Sequence, residues 1–248
     1  MKALRAVAWA FLKIQLREPT VLFFLYAFPS MLLILFGIIF GNKLPPAGRI
    51  RAGYIDLQVP ALAVMAMGTI AFQQIPSSIA ARREAGVLRT LRSQHLSPAL
   101  YMGADLLVHL LMITFNLVLM VGLGRGLFKM RFAGNAGAVV LGLMFCAVTL
   151  FSVGYMLAGV IPSARMAAAI VNSLFFPMLF LSGIAIPLST MPAKVGRVGG
   201  WSPMGHAVHI MQGLWTGQSW AELQTSLIVL GAFMVVSVAV TLKAFRWR

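Results

Sequence analysis

Six predominantly apolar stretches of roughly 20 residues each, the length a helix needs to cross about 30 Å of hydrocarbon, constrain this chain more than any other feature. They run approximately from Val21 to Phe40, Leu57 to Ala80, Tyr101 to Leu123, Ala136 to Ile161, Met166 to Ile186 and Leu223 to Leu242. Of the 248 residues 60% are hydrophobic and 10% are charged. Soluble chains carry far more charge, and a folded core of this size would not hide the excess apolar surface from water. The expected fold is therefore an all-α membrane protein with six transmembrane helices. Disordered, collagen-like and disulfide-scaffold architectures fall by the same argument, since apolar residues dominate throughout and Cys146 is the single cysteine.

The first apolar run starts only at Val21, is too long for a signal-peptide core and has no small-residue cleavage site, so the leader is expected to stay. Within residues 1–18, Lys2, Arg5, Lys13 and Arg17 fall in an arc of about 120° on a helical wheel. Leu4, Val7, Phe11 and Ile14 mostly avoid that arc. This pattern predicts an amphipathic interfacial helix with Trp9 as its aromatic anchor. Residues 19–248 then form one six-span domain, with a loop at 82–98 and an apolar, proline- and glycine-punctuated segment at 187–218 that is expected to dip back into the membrane.

The formal net charge is +15. In so hydrophobic a chain basic loops set topology and meet anionic lipid, which makes membrane lipids partners and leaves no role for nucleic acid. With both termini cytoplasmic, the inner segments carry twelve Lys and Arg residues and the outer segments eight. The positive-inside rule favours that orientation, chiefly through the N-terminal cluster and the Arg82–Arg92 loop.

No GxxxxGK[ST] loop occurs, so the chain has no visible phosphate cradle. Its five acids, Glu18, Asp56, Glu84, Asp105 and Glu222, have no spacing that suggests paired carboxylates or a metal cage, and the chain is not expected to be an enzyme. His206 and His209 are three residues apart but lack a third ligand, and they read as interfacial histidines. Cys146 reads as a small packing residue. Asp105, His109 and Asn116 lie within about 40° of one another on the third span. Two readings stay open for them: a proton relay, or wet side chains at the inner interface with Asn116 bonded between helices. Gly37 and Gly41 form a small-xxx-small pair, weak support for a dimer seam. Pro29, Pro76 and Pro177 mark expected kinks, and Asn172, Phe175 and Phe176, just before Pro177, are candidates for a substrate path.

The loop ARREAGVLRTLRSQHLSP reads either as a short helix parallel to the membrane or as a solvated basic turn on lipid phosphate. Its first part resembles the EREXGTLERL stretch of permease subunits of type-2 ATP-binding-cassette exporters, with Glu84 and Gly86 matching the glutamate and glycine. FLSGIAIPLSTMP, Phe180 to Pro192, is similar to that family's FLSG…P…LP exit from the fifth span. WSPMGHAVHIMQGL, Trp201 to Leu214, resembles its NPLTYAVDALRGL segment. Arg82 stands where an acid is common, Val87 replaces a threonine, and His206, His209 and Gln212 replace tyrosine, aspartate and arginine.

This resemblance implies a half-transporter without a cofactor of its own. Two copies of a cytosolic ATPase would bring ATP and Mg, and a second permease, identical or related, would complete the pore. It implies coupling through Arg82, Arg83, Glu84, Gly86, Leu88, Arg89, Leu91 and Arg92, aided by the helix bearing Arg5, Trp9, Lys13 and Arg17. The first and fifth spans would line the central path, in a bacterial inner membrane. Because the outer loops are too short for a receptor domain, the expected cargo is a lipophilic or amphipathic, drug- or antibiotic-like compound leaving the cell. Export of a lipid-linked polysaccharide and a non-transporting membrane scaffold are the alternatives.

Overall fold

The computed structural model describes residues 2–43, 52–87, 98–185, 199 and 201–244. Among them there is no strand, and the helices are α1 (Lys2–Leu16), α2 (Pro19–Phe40), α3 (Tyr54–Glu84), α4 (Pro98–Phe128), α5 (Ala136–Val160), α6 (Ala164–Leu181), α7 (Pro203–Trp215) and α8 (Gln224–Ala244). α2 to α6 and α8 are long and apolar enough to cross a membrane, in the places the apolar runs predict. Polar residues start several of them. Asn135 Oδ1 accepts from the Ala138 amide at 3.1 Å, Ser202 Oγ from the Gly205 amide at 2.9 Å, and Asp56 Oδ2 from the Gly53 amide at 2.7 Å, each satisfying an otherwise orphaned donor.

α3 is the axis of the bundle. Its most apolar window is 94% buried, against 22% for α2, α6 and α8, because α2, α4, α5, α6 and α7 all pack around it. A helix apolar on every side suits such a place. The outward rows, including Leu35 and Ile38 on α2, Phe115 and Val118 on α4, and Ile228 and Val235 on α8, are exposed, as lipid-facing or partner-facing surfaces must be.

Both α2 and α3 contain one turn of π-helix, at Phe23–Ala27 and Thr69–Gln74, just ahead of Pro29 and Pro76. Proline has no N–H to give the carbonyl four residues back, which for Pro29 is Leu25. Asn116 Nδ2 donates to that carbonyl at 2.6 Å, so α4 satisfies what the proline leaves open in α2. Asn116 is thus bonded between helices, one of the two roles its position allows.

Gly37 does not serve a dimer seam. A Cβ there would lie 2.2 Å from the Phe128 ring, so the glycine lets the end of α4 close on α2 within one chain, while Gly41, at φ +65°, simply ends α2. Residues 187–198 and 200 of the expected re-entrant segment lie outside the described residues. Its later part, α7, packs along α3: Met204 lies against Gly68 midway down that helix, and Gln212 Nε2 donates to the Leu57 carbonyl at 3.1 Å near its start.

The crossing of α3 and α5 brings backbone against backbone, where a Cβ on Gly154 would sit 2.3 Å from the Ala71 carbonyl oxygen. Gly154→Val is expected to destabilise the protein by about 1–3 kcal/mol or more, because backbone rather than a movable side chain blocks the space. Gly231→Ala, on α8 with nothing within 4 Å, should cost nothing and can stabilise by up to about 1 kcal/mol. Thermal unfolding of both variants in detergent checks the contrast.

Candidate functional site

α3 ends in three consecutive charged residues, and each reaches a different helix. Arg82 Nη1 donates to Tyr101 Oη at 2.7 Å and lies 3.9 Å from Asp105 Oδ1, both on α4, while its guanidinium rests 4.8 Å above the Phe11 ring of α1. Arg83 donates to the carbonyls of Ala158, at 3.5 Å, and Ile161 at the C-terminal end of α5. Glu84 Oε1 accepts from the Ala164 amide at 2.8 Å, the first residue of α6, where Ser163 Oγ also accepts from the Met166 amide at 3.3 Å. The cation meets a helix C-terminus and the anion a helix N-terminus, the arrangement the helix dipole favours by about 0.3–1 kcal/mol at each end. Residues 82–84 therefore fasten together the ends of α1, α3, α4, α5 and α6.

Behind Arg82 lies a buried polar line. Asp105 and His109 are 2% and 0% exposed, so the chain itself, not water, surrounds them, in contrast to a wet position at the interface. Asp105 Oδ2 accepts from Tyr155 Oη of α5 at 2.8 Å and stands 3.4 Å from His109 Nδ1. Gln74 Nε2 on α3 donates to Gln15 Oε1 on α1, which turns Gln15 Nε2 toward His109 Nε2 at 3.1 Å. His109 Nε2 is then the acceptor and its Nδ1 carries the proton facing Asp105. Asn116 stands apart from this line, on the Leu25 carbonyl.

Arg5 and Lys13 are exposed on α1 and Arg17 is exposed just after it, and Lys13 Nζ lies 5.4 Å over the 59% exposed Trp9 ring. The buried stripe of α1 is Ala8, Phe11 and Gln15. Ile14, placed by the wheel on the apolar side, is exposed, because the packed side is narrower than the apolar arc. Gly86 turns the chain at φ +70°, which favours glycine there. Leu88, Arg89, Leu91 and Arg92 lie outside the described residues. Asn172 Oδ1 accepts from Gln73 Nε2 at 3.0 Å, tying α6 to α3. Phe175 is buried close to Gly68, whereas Phe176 is exposed, so the two adjacent rings diverge.

At the opposite end, the Nδ1 atoms of His206 and His209 each lie 3.0 Å from Ser226 Oγ on α8. One hydroxyl proton serves one ring, and the other ring must donate. No group of three metal-ligating side chains occurs among the described residues.

A family model described as ABC-2 type transporter matches residues 2–216. This chain belongs to that family. It is the membrane-spanning component of an ATP-binding-cassette transporter, a multi-pass membrane protein whose family associates with an ATP-binding subunit. No curated protein matches the permease. Sequence reasoning reached Arg82, Arg83, Glu84, Asp105 and His109 but not Gln15, Gln74, Tyr101 or Tyr155. Isolated polar residues in otherwise apolar runs were the available signal, and it does not say which of them meet.

Removing one partner of a buried ion pair costs about 3–5 kcal/mol, because the other charge stays buried. Asp105→Leu is accordingly expected to destabilise the permease strongly, with much of the loss recovered in Arg82→Met/Asp105→Leu; a double-mutant cycle by thermal unfolding measures the coupling. Burial, with the neighbouring His209, holds the pKa of His206 below its ordinary 6.5. Its unfolded form therefore binds the proton more readily, so His206 contributes stability that is present above about pH 6.5 and lost as pH falls. NMR titration of labelled histidines should place the His206 midpoint below 6.5, and His209→Ala should raise it.

Proposed function

We propose that the permease exports lipophilic or amphipathic compounds across a bacterial inner membrane, with both termini cytoplasmic. Two copies of a separate ATPase supply ATP and Mg and dock on the 82–98 loop, and a second permease copy, identical or related, completes the pore. The carrying observation is the Arg82–Arg83–Glu84 fastening at the root of that loop. A force applied to the loop reaches α4 and α1 through Arg82, α5 through Arg83 and α6 through Glu84, without crossing a flexible linker.

This arrangement suits a machine that must switch between two states of different exposure. Nucleotide can bias such an equilibrium only through a partner that binds the two states unequally, and the attachment lets that bias act on several helices together. Family membership supports the ATPase partner. The exposed apolar rows of α2 and α6 support a surface that a second copy or lipid covers. α1, with Trp9 outward and Phe11 inward, would lie at the inner interface and carry motion of the docked ATPase to Arg82.

The test is reconstitution with the ATPase encoded alongside the permease, followed by a screen for compounds that stimulate hydrolysis. Glu84→Ala, which frees the start of α6 from the loop, should reduce stimulated hydrolysis and transport by about tenfold, within the 5- to 150-fold span of typical couplings. The complex should still assemble. Wild-type coupling in this variant would remove the assignment.

A further inference from the structure

A cavity of about 370 Å³ lies between the start of α2 and the second half of α3, flanked by both π-helical turns. Its α3 wall carries Thr69, Gln73, Gln74, Ser77 and Ser78, and Glu18 stands at the mouth. Val21, Phe24 and Leu25 of α2 form the apolar wall opposite. From Thr69 to Ala81 the wall extends about 18 Å along α3. π turns interrupt the regular ladder and recur at functional sites, and here two of them face one space.

The hydrogen-bond inventory of that wall is lopsided. Gln73 Nε2 is committed to Asn172 and Gln74 Nε2 to Gln15, and neither Oε1 acceptor is bonded among the described residues. Thr69 Oγ1 donates to the Met65 carbonyl and Ser78 Oγ to the Ile75 carbonyl, so their remaining capacity is to accept. Glu18 forms no ion pair among the described residues. Arg82 lies near enough to interact electrostatically with Glu18, but its guanidinium is engaged by Phe11, Tyr101 and Asp105. The hydroxyls of Ser77 and Thr20 also line the space and can donate or accept, so the site offers a carboxylate and several acceptors beside the apolar surface of Val21, Phe24 and Leu25.

We propose that this cavity binds protonated primary amines with an apolar body, the ammonium donating to Glu18 and the glutamine carbonyls while the body lies on Val21, Phe24 and Leu25. A primary ammonium has three donors and no acceptor, which complements the wall; a neutral alcohol brings one donor, and a quaternary ammonium none. The inference rests on the exporter reading and names its substrate class: cationic amphiphiles taken from the cytoplasmic side of the membrane.

The test uses the purified permease in phosphatidylcholine nanodiscs without the ATPase, with tritiated dodecylamine as probe. Saturable binding is expected, displaced at least about tenfold more effectively by dodecylamine than by dodecanol or dodecyltrimethylammonium. Glu18→Gln should weaken binding about tenfold, and Ser77→Phe, which fills the cavity, should abolish it, with thermal unfolding confirming that both variants fold. Equal displacement by amine and alcohol, or wild-type affinity in both variants, would overturn the proposal. Because the assay needs neither ATP nor transport, amine binding without export removes only the exporter reading. Stimulation of hydrolysis confined to compounds lacking an amine, with no amine binding, removes only this site.

Discussion

Charge is expensive at the boundary of a hydrocarbon layer unless something answers it, and the inner architecture of this permease is built from that requirement. Three charges in succession close α3, and none is left to solvent alone. Arg82 is answered by Asp105, Tyr101 and the face of Phe11, Arg83 by the carbonyls ending α5, and Glu84 by the amide opening α6. Once each charge is bound, the helix ends cannot move independently without breaking a charge-assisted bond. The same bonds that make the sequence ARRE tolerable there make it a mechanical junction.

The rest of the bundle can be understood as support for one buried helix. α3 offers apolar surface all round and accepts neighbours on every side, with glycines at close approaches, Gly68 under the Met204 side chain and Gly154 against the Ala71 backbone. Its π turn and Pro76 interrupt the ladder where Gln73 and Gln74 turn outward to α6 and α1. The matching turn in α2 leaves the Leu25 carbonyl for Asn116. Irregular backbone at this depth persists because side chains of adjacent helices complete it.

The spans were legible because the bilayer imposes a length that single-sequence hydropathy measures directly, and α2 to α6 and α8 fall within a few residues of it. α3 outruns its apolar stretch to Glu84 because its terminal charges have partners on other helices, which no local pattern reveals. Asp105 and His109 were visible as a pair by their four-residue spacing, but Gln15 and Tyr155 come from 90 and 50 residues away in round terms and join them only in the fold. The glycine pair Gly37/Gly41 misled for a related reason: small-residue spacing shows that a close approach exists, while the approaching group, Phe128, belongs to the same chain. Phe175 and Phe176 look alike in sequence, yet one is core and the other surface, since adjacent helical residues point about 100° apart.

The most direct measurement is the distance between spin labels at Val87, at the root of the loop, and Met166, in the first turn of α6, in the reconstituted complex with ADP and with ATP. Both positions are exposed and accept a label. If residues 82–84 transmit the stroke, the separation stays the same in the two nucleotide states while the solvent accessibility of both labels changes together. A loop label that swings away from Met166, with the α6 label unaffected, would contradict the junction on which the account stands.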